Sequence, residues 1–282
     1  MRVIVTGAGG LLGTELNHAL GLSHQVIPLS RRDLDITGPD VTPTLRRSEP
    51  DLVIHTAAYT DVDGCEKDPA RAFRVNAEGT GRVAEACREL KVPLLYFSTD
   101  YVFDGTKGSP YREEDTVNPL SVYGRSKWEG EQQVRRYLDE YFVVRTSWLY
   151  GRTGRSFLQT LLTQAKTNRP LKVVDDQVGS PTWAADLARA VARLIEKAPF
   201  GLYHVTNSGY CSWFEFAQAL LTDTGLSEVP LSRISSRELN RPAPRPAYSV
   251  LDNRAWLALL GEPLPHWRQA LQTFLQQGGM SL

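Results

Sequence analysis

The stretch Met1-Arg2-Val3-Ile4-Val5-Thr6-Gly7-Ala8-Gly9-Gly10-Leu11-Leu12-Gly13 decides the fold. A short apolar run, Val3 to Val5, breaks into glycines, and Leu12, Leu16 and Leu20 follow at helical spacing. The pattern predicts a buried strand, a tight turn and a helix. Gly7 suits the turn. Gly10, with no Cβ, leaves room for a pyrophosphate at the backbone, and Gly13 lets the helix lie close on the strand. The free N–H groups and positive dipole end of that helix then face the phosphates. The glycines are spaced G-x-x-G-x-x-G rather than G-x-G-x-x-G. Such a motif gains meaning from its context, and here it follows a strand and opens a helix. A dinucleotide-binding α/β chain with a doubly wound parallel sheet is expected.

Composition sets the outer limits. The 282 residues suffice for a sizeable core in one or two domains, and 41% hydrophobic with 23% charged residues is ordinary for a globular protein. A formal net charge of zero gives no field that favours nucleic acid or an anionic membrane surface. No apolar run approaches the roughly 18 residues of a membrane span. The first strand starts at once and contains Arg2, so no signal peptide is expected and a cytoplasmic location is. Cys65, Cys87 and Cys211 are an odd number without metal-ligand spacing, the histidines show no paired spacing either, and reduced thiols and no metal are expected.

Strands and helices then alternate. Gln25 to Ser30 reads as a second strand. A chain that prefers NAD places an acidic residue about 20 residues past the glycines, to hold the ribose 2′-hydroxyl. Here Ser30-Arg31-Arg32-Asp33 stands instead, and a hydroxyl with two guanidinium groups suits a 2′-phosphate, hence NADPH. The arginines also read as solvated loop charges, and Asp33 and Asp35 keep NADH open. Asp51 to His55 is a third strand, ending in small residues, Thr56-Ala57-Ala58-Tyr59-Thr60, against which a cofactor can lie. Asp68 and Pro69 are the N-cap and first residue of one long helix to about Leu90. Asn76 inside it suits a structural hydrogen bond as well as a cofactor contact. Val92 to Ser98 is the fourth strand, and Asn118-Pro119 opens a further helix by the same signal.

One turn into that helix, Tyr123 and Lys127 are four apart and share a face, about 5–6 Å apart at Cβ. A free tyrosine titrates near about 10, and an adjacent ammonium lowers that value. The phenol then serves as proton donor or acceptor for a carbonyl or alcohol. A hydroxyl at the end of the fourth strand, Ser98 or Thr99, supplies a second hydrogen bond to the same oxygen.

Together these motifs resemble the extended short-chain dehydrogenases/reductases, with a Rossmann-type sheet. The resemblance assigns the catalytic hydroxyl to Thr99, with Ser98 as fallback. It sharpens to the dTDP-4-dehydrorhamnose reductase subfamily on Leu34-Asp35-Ile36-Thr37, His55 to Asp63, Ser98 to Gly105, Arg145 to Gly151, Asp176 to Thr182, Gly201 to Gly209, Ser212 to Phe216 and Arg245 to Ser249. It implies NAD(P)H-dependent reduction of the C4 keto group of dTDP-6-deoxy-L-lyxo-4-hexulose to dTDP-L-rhamnose. Tyr123 donates the proton, Thr99 polarises the carbonyl, and Lys127 tunes the tyrosine and holds the nicotinamide ribose. Tyr101 and Trp148 line the sugar pocket, although Trp148 also reads as a core aromatic. Leu11, Leu12, Asp35, Ile36, Ala57, Ala58 and Thr60 join the glycines at the cofactor. Another nucleotide-sugar keto-reductase or epimerase of the same fold remains a rival. So does a binding role like that of the methionine adenosyltransferase regulatory subunit.

The later half reads as a smaller substrate lobe. The division is 1–150 for the dinucleotide domain and 151–282 for the lobe, with more than one crossing between them. A helix with Phe157 and Leu161, a strand from Leu171, a helix capped by Thr182, a strand from Gly201 and a helix from Ser212 are expected. Pro230 to Ser249, rich in proline and arginine, reads as an extended loop. Arg245, stiffened between Pro244 and Pro246, suits the substrate diphosphate, or is a solvated charge. Glu113-Glu114-Asp115 reads as a solvated loop. A monomer or homodimer is expected. The subfamily makes Mg²⁺ possible, but no cluster in the sequence indicates it.

Overall fold

The computed structural model describes residues 1–279 except 155 and 168. The chain runs β1 (Arg2–Thr6), α1 (Leu11–Leu20), β2 (Gln25–Leu29), α2 (Val41–Arg47), β3 (Leu52–His55), α3 (Val62–Lys67) and α4 (Pro69–Phe73). A π-helical turn, Arg74–Gly79, leads into α5 (Thr80–Leu90) and β4 (Leu94–Thr99). A 3₁₀ turn, Asp100–Val102, follows, then α6 (Val122–Tyr137), β5 (Tyr141–Thr146) and β6 (Leu149–Tyr150). The later half holds α7 (Phe157–Ala165), β7 (Leu171–Val174), β8 (Val178–Gly179), β9 (Thr182–Trp183), α8 (Ala184–Lys197) and β10 (Gly201–His204). It ends with β11 (Cys211–Ser212), α9 (Trp213–Asp223), β12 (Leu231–Ile234), α10 (Ser236–Leu239), α11 (Arg254–Leu260) and α12 (Trp267–Gln276).

Six parallel strands form the main sheet in the order β10-β5-β4-β3-β1-β2. The α/β Rossmann-type sheet is thus as expected. Both faces are covered, which is why its strands read as apolar runs rather than alternations. Val3 and Val5 pack with Leu12, Leu16 and Leu20 of α1 and with Leu187, Val191 and Leu194 of α8. Ile4 points the other way, into a core with Leu45 of α2, Val83 and Cys87 of α5, and Val134 of α6. A separate core joins α7, α9 and α12 through Leu161, Phe216, Leu220, Leu271 and Phe274. The chain leaves the main sheet after β5 and returns to it at β10, so one cut near residue 150 does not separate the two cores. The order reverses at β1, with β2 on one side and β3 on the other. Ligands of open α/β sheets bind at such a switch point, beyond the carboxyl ends of the strands.

Several elements differ from their sequence reading. The long helix from Pro69 to Leu90 is broken by the π turn, a local widening that seats Asn76. Its Oδ1 accepts from Tyr59 N at 2.7 Å, and its Nδ2 donates to Tyr59 O at 3.0 Å and Ser126 Oγ at 2.9 Å. Asn76 therefore joins the loop after β3 to α6, the structural hydrogen bond that the sequence allowed for it. Helix α6 begins three residues after Pro119, because Ser121 caps it by accepting from Gly124 N and Glu66 accepts from Val122 N at 2.7 Å. Tyr123 is thus the second helical residue. Thr182 lies in β9 and does not cap α8, since Trp183 N is satisfied from across the fold by Asn207 Oδ1 at 2.8 Å. The segment from Pro230 is no plain loop: β12 pairs in parallel with β7, and Ser235 caps α10 in a reciprocal box with Glu238. Glu113 is half-buried rather than solvated, and accepts from His204 N at 2.9 Å.

Candidate active site

The site is built on the glycine turn. Gly7 sits at φ +69°, and a Cβ there would stand 2.7 Å from Ala57 N, so the turn is pressed against the end of β3. Helix α1 starts at Gly10 with no side-chain cap and no acidic residue in its first turn. Its terminal N–H groups are therefore left for an anion. Two cavities, of about 640 Å³ and about 580 Å³, meet over this point and share Gly10, Thr56 and Ala58 as lining. An uncapped helix start between two joined cavities fits a dinucleotide pyrophosphate.

The first cavity holds Gly7, Ser30, Arg31, Asp35, Ile36 and Ala57. Arg71 and Arg74, which the sequence reading passed over, join Arg31 and Arg32 there. Their spacing of three along one helical stretch was the available signal. The nearby carboxylates already have partners. Asp33 accepts from Ser30 N at 2.8 Å and Ser30 Oγ at 2.6 Å, and Asp35 accepts from Thr37 N at 2.9 Å and Thr37 Oγ1 at 2.7 Å. These hydrogen bonds hold both carboxyls below their ordinary range. Arg71 lies over the Tyr59 ring, 4.3 Å from its centroid. A cavity end lined by four guanidinium groups, with its acids engaged elsewhere, suits a ribose 2′-phosphate.

The second cavity gathers Leu11, Leu12, Gly13 and Thr60 with Thr99, Tyr101, Tyr123, Lys127, Trp148 and Arg245. Thr99 ends β4, donates to Asp100 Oδ1 at 3.0 Å and accepts from Tyr101 N at 3.2 Å. Ser98, the fallback, donates instead to the buried Glu131 at 2.5 Å. Tyr101 and Tyr123 meet edge-on, with ring centroids 6.0 Å apart. The expectation that Lys127 lowers the Tyr123 phenol does not describe this site. Burial pushes the phenol above its ordinary value, and a hydrogen bond with Thr99 acts against that rise. Lys127 instead lies over the Tyr96 ring, 4.1 Å from its centroid, and burial brings it down to about 7 against the pull of Glu131. At neutral pH the phenol holds its proton and is a donor. Asp100, buried among Thr99 and Ser249, is pushed up to about 7 by burial, with those hydrogen bonds opposing.

Trp148 adopts φ +47°, rare for a bulky residue, and stacks face to face on Trp213 with centroids 3.5 Å apart. Both rings line the second cavity. Trp213 stands just past the Ser212 cap, where sequence reading saw only a helix start. Arg245 is part-buried, with Nη1 3.0 Å from Asp63 Oδ1, and Arg241 reaches the other oxygen of Asp63 at 3.0 Å. Burial tends to raise the Asp63 carboxyl, but Arg245 brings it below the ordinary range. The proline-rich segment is thereby tied to α3 across the cavity mouth. Cys65, Cys87 and Cys211 are free and buried. Among the described residues no three His, Cys, Asp or Glu side chains gather as a metal site, and no helix is long and apolar enough to cross a membrane.

The chain matches the family described as RmlD substrate binding domain over residues 1–280. It is 42% identical over 278 residues to the spore coat polysaccharide biosynthesis protein SpsK of Bacillus subtilis, covering 98% of this chain and 97% of that one. It is 43% identical over 278 residues to a dTDP-4-dehydrorhamnose reductase of Streptomyces griseus, covering 96% of this chain and 91% of that one. A crystal structure of dTDP-4-dehydrorhamnose reductase from Bacillus anthracis in complex with NADP superimposes with a TM-score of 0.94 at 39% identity, over 98% of this chain and 99% of that one.

Proposed function

The chain belongs to the RmlD substrate-binding-domain family, and from that premise we propose that it is a cytoplasmic dTDP-4-dehydrorhamnose reductase that uses NADPH. The reaction reduces the C4 keto group of dTDP-4-dehydro-L-rhamnose to the alcohol of dTDP-L-rhamnose. The observation that carries this reading is one cavity holding Thr99, Tyr123 and Lys127 and opening into the cavity of the glycine turn.

Gly7, Gly10 and Gly13 give the pyrophosphate access to the start of α1, Arg31 and its arginine neighbours receive the 2′-phosphate, and Ala57 and Ala58 leave room along the strand end. When bound, the nicotinamide supplies the hydride that the carbonyl carbon accepts. Tyr123 gives the carbonyl oxygen its proton, Thr99 hydrogen-bonds the same oxygen as charge develops on it, and Lys127 keeps the surroundings positive. Tyr101 and Trp148 pack the hexulose, and Arg245 receives the diphosphate.

The test couples the purified chain to a dehydratase and an epimerase that make the keto-sugar from dTDP-glucose. The near-ultraviolet absorbance of NADPH is then followed. Stoichiometric loss with the wild type, reduced by about 10²–10⁴-fold in Tyr123→Phe, is expected. NADPH binding without loss would sink the reductase reading, since a reductase releases oxidised cofactor at every turnover.

A further inference from the structure

Lys127 is 4% exposed, and a buried ammonium needs a counter-charge. One turn further along the same face of α6 stands Glu131, fully buried. Glu131 is tightly bonded. Ser98 Oγ donates to its Oε1 at 2.5 Å, Arg145 Nε donates to the same oxygen at 2.9 Å, and Arg145 Nη2 donates to Oε2 at 2.8 Å. Arg145 is buried too, with Nη1 3.5 Å from His204 Nε2 and its guanidinium 5.2 Å from the centre of the Phe103 ring.

The other titratable groups around Lys127 are neutral at pH 7. Tyr96, from β4, lies beneath the ammonium, and burial first and the Glu131 charge second hold its phenol well above the ordinary value. His55, from β3, is held at about 3 by burial and by the Lys127 charge, and its ring nitrogens meet Thr6 and Thr80. Tyr123, on α6 itself, is pushed up by burial. Glu131 is left as the anion that acts on Lys127 among the described residues.

We propose that Glu131 is a positioning residue of the reduction: one turn along α6 from Lys127 it supplies the counter-charge for that buried ammonium, and through Ser98 it fixes the end of β4 from which Thr99 serves the site. This use rests on the reductase reading, whereas the charge coupling does not. Burial alone drives the Lys127 ammonium toward release of its proton, and the Glu131 carboxylate opposes that. Arg145, together with Arg135 of α6, whose Nη2 lies 3.7 Å from Oε2, balances the buried Glu131 carboxylate.

The test uses the full-length chain labelled with ε-¹³C lysine, with the Lys127 resonance identified by its absence in Lys127→Arg. The expected midpoint of Lys127 falls by about one unit or more in Glu131→Gln and stays near the wild type in Glu131→Asp. If Glu131→Gln does not fold, the Glu131→Gln/Arg145→Gln pair, which removes both partners of the buried ion pair at once, carries the test and is expected to show a lowered midpoint. An unchanged midpoint in a folded variant overturns the coupling. The pH profile of kcat is the second readout. Its alkaline limb is expected to move to lower pH with the Lys127 midpoint, and a limb that stays put while the midpoint moves overturns the role in reduction. A wild type that turns over no keto-sugar overturns the reductase reading, and the resonance titration still decides the coupling.

Discussion

At the scale of single residues, the chemistry-bearing side chains were legible because their types and spacing are dictated locally. Tyr123 and Lys127 share a helical face at any helix start, so misplacing the cap by a few residues did not move them apart. What could not be read was the environment. Nothing in the spacing says that Lys127 lies over Tyr96 rather than beside the Tyr123 hydroxyl, or that Ser98 is engaged by a glutamate 33 positions later. Arg245 shows the same limit. Its flanking prolines suggested a stiff, diphosphate-facing arginine, but Asp63, far away in sequence, is what holds it at the cavity. If the diphosphate meets Arg245, Arg245→Ala removes a charge-assisted contact of about 1.5–3 kcal/mol, and KM for the sugar nucleotide rises about ten- to a hundredfold. Affinity for NADPH, measured by fluorescence titration, should hardly change. An unaltered sugar-nucleotide KM would return Arg245 to a structural tie.

At the scale of elements, periodicity found the strands of the main sheet and most helices, since buried parallel strands and amphipathic helices write themselves in apolar spacing. It failed where a side chain from elsewhere overrides a local signal. Asn118-Pro119 looks like a helix start, but Ser121 and Glu66 between them satisfy the first free N–H groups, and the helix begins there. The π turn is the clearest case, because a helix that runs on unbroken in sequence is widened to place Asn76 between the loop after β3 and α6. Asn76→Ala leaves Tyr59 N and O without their partner in a part-buried place. The expected cost is about 2–4 kcal/mol, seen as a lower urea midpoint with an unchanged m-value. A loss below about 0.5 kcal/mol would mean that water replaces the side chain there.

At the scale of the whole molecule, long-range pairing was the least legible, because β10 and α8 carry no mark of the sheet face they complete. The same burial sets the pH response. His55 and His204 are both held at about 3, chiefly by burial. A histidine with a depressed folded value contributes stability above its unfolded value of about 6.5 and loses it as pH falls towards the folded one. Each therefore costs about 2 kcal/mol at pH 5 relative to pH 7. Asp100, raised to about 7, works in the opposite sense, since the folded state takes up its proton first as pH falls below 7. The wild type should thus lose Tm modestly from pH 7 to pH 5, and Asp100→Asn, without the offset, should lose more over the same interval by calorimetry. Equal losses would show that Asp100 does not take up a proton on folding in that interval. The fold makes a second demand. A chain cut after residue 150 keeps β1 to β5 but loses α8, β10 with the residue that follows it, and α11, which bring Leu187, Val191, Leu194, Tyr203, Val205 and Trp256 to the core around Leu12, Leu16 and Leu20. Burying a large apolar side chain contributes about 1.5–3 kcal/mol, so six of them amount to about 10 kcal/mol or more, against a whole-domain stability of about 5–15 kcal/mol. The 1–150 fragment is therefore expected to lack a cooperative thermal transition and near-ultraviolet circular dichroism, and to bind NADPH far more weakly than the whole chain. A fragment that melts cooperatively and binds NADPH as the full chain does would show that the first five strands form a domain by themselves, with α8 and β10 merely resting on it.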